Sequence, residues 1–228
     1  MQLCVALDLS TKTENLDLIK KIKSEPVWLK VGLRSYIRDG RDFLEEIKSI
    51  HPESKIFLDL KLYDIPNTMA DAASEICEMP VDMFNIHASA GITAMQTIMK
   101  RIDGDKRPLV LAVTALTSFE ENEFRGIYDN SIKRKADQFS RHSYDAGLDG
   151  VVCSVHESLS IKKETSDSFI TLTPGIRPAG SSVDDQKRIA TPKVAQENKS
   201  DFIVVGRPIY QSDKPLDIIK SIHEEMYL

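Results

Sequence analysis

Eight short apolar or β-branched runs, separated by segments of helical periodicity, constrain this 228-residue chain more than any other feature. The runs are Leu3–Leu7, Val27–Val31, Lys55–Leu60, Asp82–Ile86, Leu109–Val113, Gly150–Cys153, Phe169–Leu172 and Phe202–Val205. Most are continuously apolar rather than alternating, as parallel strands covered on both faces require. Between them apolar residues recur at helical spacing, as in Leu16, Ile19 and Ile22, then Phe43, Leu44, Ile47 and Ile50. Met69, Ala72, Ala73 and Ile76 repeat the pattern, and Leu216, Ile219, Ile222 and Met226 close it. Strand then helix, repeated in this way, predicts an α/β fold, a single-domain (β/α)8 TIM barrel over residues 1–228. A doubly wound open sheet has the same local pattern, and spacing does not separate the two.

Composition narrows the class. The 30 basic and 35 acidic residues leave a net charge of −5, which argues against a nucleic-acid partner. No apolar run approaches the length needed to cross a bilayer, Phe202–Gly206 being among the longest. Met1–Leu9 lacks the charged region and cleavage site of a signal peptide. Cys4, Cys77 and Cys153 show no CxxC spacing and read as small buried residues of a reduced, cytoplasmic protein. His51, His142, His156 and His223 lack metal-ligand spacing, so no metal is expected.

Polar residues collect where the strands end. Asp8 closes the first, Lys30 lies in the second, and Asp59 and Lys61 close the third, where the i, i+2 spacing points both to one face. Asp64 follows, before a turn through Ile65-Pro66 into a helix beginning near Asn67 or Thr68. Taken singly, each is an ordinary solvated charge at a barrel mouth. Together, ionisable groups of alternating sign bracketed by apolar sequence are costly unless they pair. Such a network on rigid strands can hold a lysine in place as a proton donor. Gly175-Ile176-Arg177 follows the seventh run and Gly206-Arg207 the eighth, where this fold often holds a phosphate. Arg207 offers a bidentate guanidinium to a dianion; the plainer alternative is a glycine turn beside a surface arginine. Thr117–Ser131 and Pro174–Thr191 read as long loops over the same face. His87 reads as a supporting residue, and Trp28 and Tyr63 as packing residues beside Lys30 and Lys61.

At this point Asp59-Leu60-Lys61-Leu62-Tyr63-Asp64-Ile65-Pro66-Asn67-Thr68 resembles the signature of the orotidine 5′-phosphate decarboxylases. The resemblance continues through Ala6-Leu7-Asp8, Leu29-Lys30-Val31-Gly32, Asn85-Ile86-His87-Ala88 and Leu116-Thr117-Ser118. It ends in Pro174-Gly175-Ile176-Arg177 and Val205-Gly206-Arg207. DxKxxD is moderately specific by itself; the Ile-Pro-x-Thr extension and the order of the later motifs make it strong. The free-standing bacterial form is the nearer resemblance, since no phosphoribosyltransferase domain is attached.

The resemblance implies cofactor-free decarboxylation of orotidine 5′-monophosphate to uridine 5′-monophosphate, the last step of de novo pyrimidine synthesis. By position, Lys61 resembles the proton donor to C6 and Asp59 the carboxylate beside the departing one. Lys30 and Asp64 complete the alternating network. The resemblance also implies a homodimer with shared active sites, in which Asp64 and the ribose-contacting Thr68 serve the neighbouring chain. Asp8 and Lys30 resemble ribose contacts and Thr117 a base contact. Arg177, Gln186, Gly206 and Arg207 resemble the phosphate grip, with Gln186 on a mobile lid. In one departure, Asn198-Lys199-Ser200 stands where relatives commonly carry glycine, and Asn198 is expected to take the left-handed conformation. Two rivals share some of these features. A magnesium-dependent barrel acting on sugar phosphates uses a similar DxKxxD but is disfavoured by Ile65-Pro66-Asn67-Thr68 and by Leu116-Thr117-Ser118. A catalytically silent nucleotide-binding barrel is disfavoured by the full set of charged residues.

Overall fold

The computed structural model describes residues 1–104, 106–178 and 189–227. Eight parallel strands close into a barrel in sequence order: β1 Gln2–Ala6, β2 Trp28–Gly32, β3 Lys55–Leu62, β4 Met83–His87, β5 Leu109–Val113, β6 Gly150–Val152, β7 Ile170–Thr173 and β8 Phe202–Val205. β8 returns to β1 through the register Gln2↔Phe202 to Val5↔Val205, which rules out an open sheet. Helices follow the strands: α1 Lys12–Ile22, α2 Leu33–Ile50, α3 Pro66–Cys77, α4 Ile92–Arg101, α5 Glu121–Tyr128, α6 Ile132–Asp145, α7 Val155–Glu164, α8 Pro192–Glu197, α9 Arg207–Tyr210 and α10 Pro215–Tyr227. Among the described residues, no helix is long and apolar enough to cross a membrane.

Alternation along each strand builds two apolar layers. In β1, Leu3 and Val5 face the helices, with Leu29, Val31, Ile56 and Leu58 beside them. Cys4 and Ala6 face inward, onto Phe57, Met83, Leu111, Val204 and their neighbours. Both faces are thus buried, which is why the strands read as continuous apolar runs. Each Val, Leu, Ile, Phe or Met side chain fully removed from water here contributes about 1.5–3 kcal/mol.

An aspartate repeat ties the barrel at the end where the strands begin. Asp82, Asp149 and Asp201 each precede an even-numbered strand and accept a backbone N–H from the strand before it. The donors are Ile56 at 2.9 Å, Val110 at 2.7 Å and Thr171 at 2.8 Å. Each carboxylate also meets a cation: Lys55 at 2.7 Å, Arg107 at 2.6 Å and Lys162 at 2.8 Å. Pinning three strand pairs at this end leaves the opposite end open for chemistry.

Several sequence expectations shift in detail. β3 runs on to Leu62, and α3 starts at Pro66, where a proline costs no hydrogen bond. Thr117–Ser131 is not a plain loop but contains α5. Phe124 there packs with Ala115 and Ile132 in a small cluster and stacks on Tyr128 at 4.5 Å. Within Pro174–Thr191, Ile176 bridges to Ala190 in parallel. Cys4 and Cys153 are buried as expected, whereas Cys77 is partly exposed. Asn198 is not left-handed; its φ is −87°, and Lys199 takes the left-handed place at +58°. Ser200 N–H donates to Ala195 O and Lys199 N–H to Gln196 O, a closure that needs the left-handed residue one step past Asn198.

Candidate active site

The site begins with an irregularity in β3. Between Leu58↔Phe84 and Leu62↔Ile86 the pairing with β4 slips, so β3 carries extra chain against its neighbour. Lys61 absorbs the slip with a left-handed φ of 54°, a rare conformation for a residue with a side chain. Its N–H donates to Asn85 Oδ1 at 2.8 Å. Asp59 and Lys61 therefore meet through a bulge, and not through the plain strand alternation that their spacing implies.

A chain of charges runs across the mouth. Asp59 Oδ1 accepts from Lys61 Nζ at 2.6 Å and from Asn85 Nδ2 at 2.7 Å. Asp59 Oδ2 lies 3.4 Å from Lys30 Nζ, which is in turn 3.4 Å from both oxygens of Asp8. Burial alone would raise the Asp59 pKa. The charges of Lys30 and Lys61, with the bonds from Lys61 and Asn85, outweigh it and hold the carboxyl at about 2. Burial likewise works against the Lys30 ammonium, but Asp59 and Asp8 overcome it and the pKa ends raised. Both groups are charged where an isolated buried ion would not be.

These groups share a cavity of about 300 Å³ with residues from the other side of the barrel. Asp8, Lys30, Asp59 and Lys61 line it from β1 to β3, and Thr117 from beyond β5. Gly175, Arg177, Gly206 and Arg207 line it after β7 and β8. Phe57, Val113, Leu172 and Val204 make an apolar floor. A charged rim over such a floor binds a polar ligand with a flat apolar part. Gly206 sits in a tight place: a Cβ there would lie 3.3 Å from both Ala6 Cβ and the Tyr210 ring, which would have to give by a few tenths of an ångström.

Not every expected residue comes to this cavity. Asp64 and Thr68 are exposed and lie outside its lining. Asp64 Oδ1 accepts the N–H of Ile65 at 2.6 Å. Gln186 lies outside the described residues. His87 is also absent from the lining; its Nδ1 pairs with Ser89 Oγ at 2.6 Å, and burial and the Lys61 charge lower its pKa. Trp28 packs edge-on against Phe202 at 5.2 Å, at the start of β2. Tyr63 does not pack as expected: it is 65% exposed, with its ring tilted against His87. Sequence reasoning missed Tyr210, which lines the cavity one turn after Arg207, and the role of Asn85. The signal for Asn85 was a polar residue inside an apolar strand. Among the described residues, no cluster of His, Cys, Asp or Glu is placed to hold a metal.

A closed parallel barrel with an ion-paired lysine and two arginines around one cavity at the strand C-termini defines a TIM-barrel enzyme site. The model of the orotidine 5′-phosphate decarboxylase / HUMPS family matches residues 1–222, and the chain belongs to that family. It is 64% identical over 223 residues to the orotidine 5′-phosphate decarboxylase of a Nitratiruptor species, covering 97% of this chain and 98% of the relative. It is 63% identical over 227 residues to the enzyme of that name from Sulfurimonas denitrificans, covering 99% and 100%. The crystal structure of orotidine 5′-phosphate decarboxylase from Lactobacillus acidophilus superposes with a TM-score of 0.85 at 30% identity, over 100% of this chain and 99% of that one. The corresponding structure from Pyrococcus horikoshii, 21% identical with a TM-score of 0.80 over 100% of both chains, shares the fold. With relatives of that name at this identity, the chain is an enzyme of the carboxy-lyase class.

Proposed function

We propose that this chain, as a single barrel domain over residues 1–228, converts orotidine 5′-monophosphate to uridine 5′-monophosphate and CO2. It does so without metal or organic cofactor, as the last step of de novo pyrimidine synthesis. The observation that carries this reading is the 2.6 Å contact of Lys61 Nζ with an ionised Asp59, in a cavity that also holds Arg177 and Arg207.

The bond from C6 to the substrate carboxylate breaks, CO2 leaves and the electron pair remains on C6. The Lys61 ammonium stabilises that charge as it forms, then gives C6 a proton and recovers one from solvent. Asp59 orients Lys61 and stands beside the departing carboxylate. Lys30 and Asp8 contact the ribose and Thr117 the base. Arg177, Gly206 and Arg207 grip the phosphate, with Gln186 joining them. Binding energy from the phosphate, far from C6, offsets the cost of assembling the site.

The working unit is a cytoplasmic homodimer in which Asp64 and Thr68 of each chain complete the other's site. Supporting this, Asp64 sits between Tyr63 and Ile65, which are 65% and 67% exposed, and Leu33, Ile37 and Ile92 are exposed too. Large apolar side chains left on the surface fit a self-complementary interface.

An absorbance assay with orotidine 5′-monophosphate, run with and without chelator, tests the reading. Turnover unchanged by chelator is expected. Activity lost with chelator would favour the magnesium-dependent sugar-phosphate barrel, and tight nucleotide binding without turnover a silent nucleotide sensor. Lys61→Ala is expected to lower kcat by about 10²–10⁴-fold while product nucleotide still binds.

A further inference from the structure

We propose that Asn85 is the positioning residue of the proton-transfer centre, its single side-chain amide fixing both the Lys61 backbone and the Asp59 carboxylate. The inference rests on the reaction proposed above. Asn85 lies in the middle of β4 between Phe84 and Ile86, only 1% exposed. A buried amide is unfavourable there unless both its ends are bonded. Both are: Oδ1 accepts from Lys61 N at 2.8 Å and Nδ2 donates to Asp59 Oδ1 at 2.7 Å. The orientation is fixed by its partners, because a flipped amide would set oxygen against carboxylate and N–H against N–H.

The location gives this pair of bonds its purpose. The β3–β4 ladder slips between Leu58 and Leu62, so the Lys61 N–H needs an acceptor from outside the ladder. Asn85 supplies one from the neighbouring strand and secures the left-handed φ of 54° that aims Lys61 into the cavity. The same Asp59 oxygen receives Lys61 Nζ at 2.6 Å. The contacts close a ring from the Asn85 amide through the Lys61 backbone, its side chain and Asp59 back to Asn85. An ammonium held in such a ring has little freedom to drift from C6, and misplacement of a reacting group by about 1 Å can cost about 100-fold in rate.

Two variants separate positioning from packing. Asn85→Ala removes both bonds. Asn85→Asp keeps the shape and the acceptor for Lys61 N–H but replaces the donor to Asp59 with a carboxyl. When protonated, that carboxyl donates to Asp59; when ionised, it opposes it. The experiment measures kcat and KM against pH for wild type and both variants with orotidine 5′-monophosphate, together with thermal melting. It also follows the Asp59 carboxyl by 13C NMR. For Asn85→Ala we expect kcat to fall about 100-fold with KM changed by less than about 3-fold, because the phosphate and ribose contacts lie elsewhere. For Asn85→Asp we expect recovery at acidic pH and a loss, as the new carboxyl ionises, at lower pH than any fall in wild type. Wild-type pH profiles in Asn85→Asp, or equal losses in kcat and 1/KM in Asn85→Ala, would overturn the proposal. Should Asn85→Ala unfold, the isosteric Asn85→Asp decides alone. Should wild type fail to turn over this substrate, the decarboxylase reading falls, but the carboxyl signal still tests Asn85. With the Asn85 bond gone, the Asp59 carboxyl should titrate at a higher pH in Asn85→Ala than in wild type; identical titrations would sink the idea.

Discussion

Gly32 sits so close to the tip of Lys30 that a Cβ at its position would lie 2.9 Å from the lysine Nζ, and equally close to Asp8 Oδ1. Its backbone is ordinary, with φ −83° and ψ 170°, so alanine is conformationally acceptable. The crowding atoms are the flexible ends of the two charged side chains. Gly32→Ala should therefore fold normally, with melting shifted by no more than a few degrees, while the Asp8–Lys30 pair is displaced. We expect kcat/KM to fall by about 10–100-fold. Wild-type kinetics in a folded variant would show that this pair does not need its observed geometry.

Arg207 makes a separate prediction on the opposite side of the cavity. A charge-assisted bond to phosphate contributes about 1.5–3 kcal/mol, so Arg207→Ala should lower kcat/KM by about 10–100-fold. The loss should be smaller for the substrate lacking its phosphate. Equal losses with both substrates would remove Arg207 from the phosphate grip.

The parts of this molecule that were legible in its sequence are those whose cause is local. Leu3 and Val5 face the helices while Cys4 and Ala6 face the barrel interior, and that double burial writes itself as a continuous apolar run. Asp8, Lys30, Asp59 and Lys61 stood out because charges closing such runs must pair or reach solvent. The bulge at Lys61 was hidden, since Lys55–Leu60 reads as an unbroken strand and the slip arises only against β4, across the end of that run. Helix α5 was hidden for another reason: its apolar face is short, resting mainly on Phe124 and Tyr128. The Asn198–Lys199 exchange depends on where α8 ends, and helix ends are poorly fixed by propensity. Asp64 and Thr68 do not line this chain's own cavity, so their roles rest on the resemblance and on the exposed apolar surface beside Asp64.

Acid stability follows from Asp59. Its folded pKa of about 2 lies below the ordinary carboxyl value, so the folded state binds its proton more weakly than the unfolded chain does. A group depressed in this way contributes fully above the unfolded value near 3.9, and the contribution is lost as pH falls through about 2. Wild type should lose about 2 kcal/mol across that window in urea titrations, beyond what Asp59→Asn loses. Parallel pH dependence in the two proteins would show that Asp59 is not held ionised by folding.

The shared-site arrangement makes the strongest demand on assembly. Asp64 is exposed, with Oδ1 taken by the Ile65 N–H, while Lys61 is already engaged by Asp59. If Asp64 serves the neighbouring chain, Lys61→Ala and Asp64→Ala should each be nearly inactive alone yet complement when mixed. After subunit exchange, one site of a mixed dimer collects both lesions, and the other combines an intact Lys61 with an intact Asp64. Random reassortment makes half of the dimers mixed and half of their sites whole, so about a quarter of wild-type activity should return. If Asp64 served its own chain, every site would keep one lesion and mixing would restore nothing. Exchange itself is verified by differently tagged subunits co-purifying. No recovery in a preparation that has exchanged would end the shared-site model and return Asp64 to the chain that carries it.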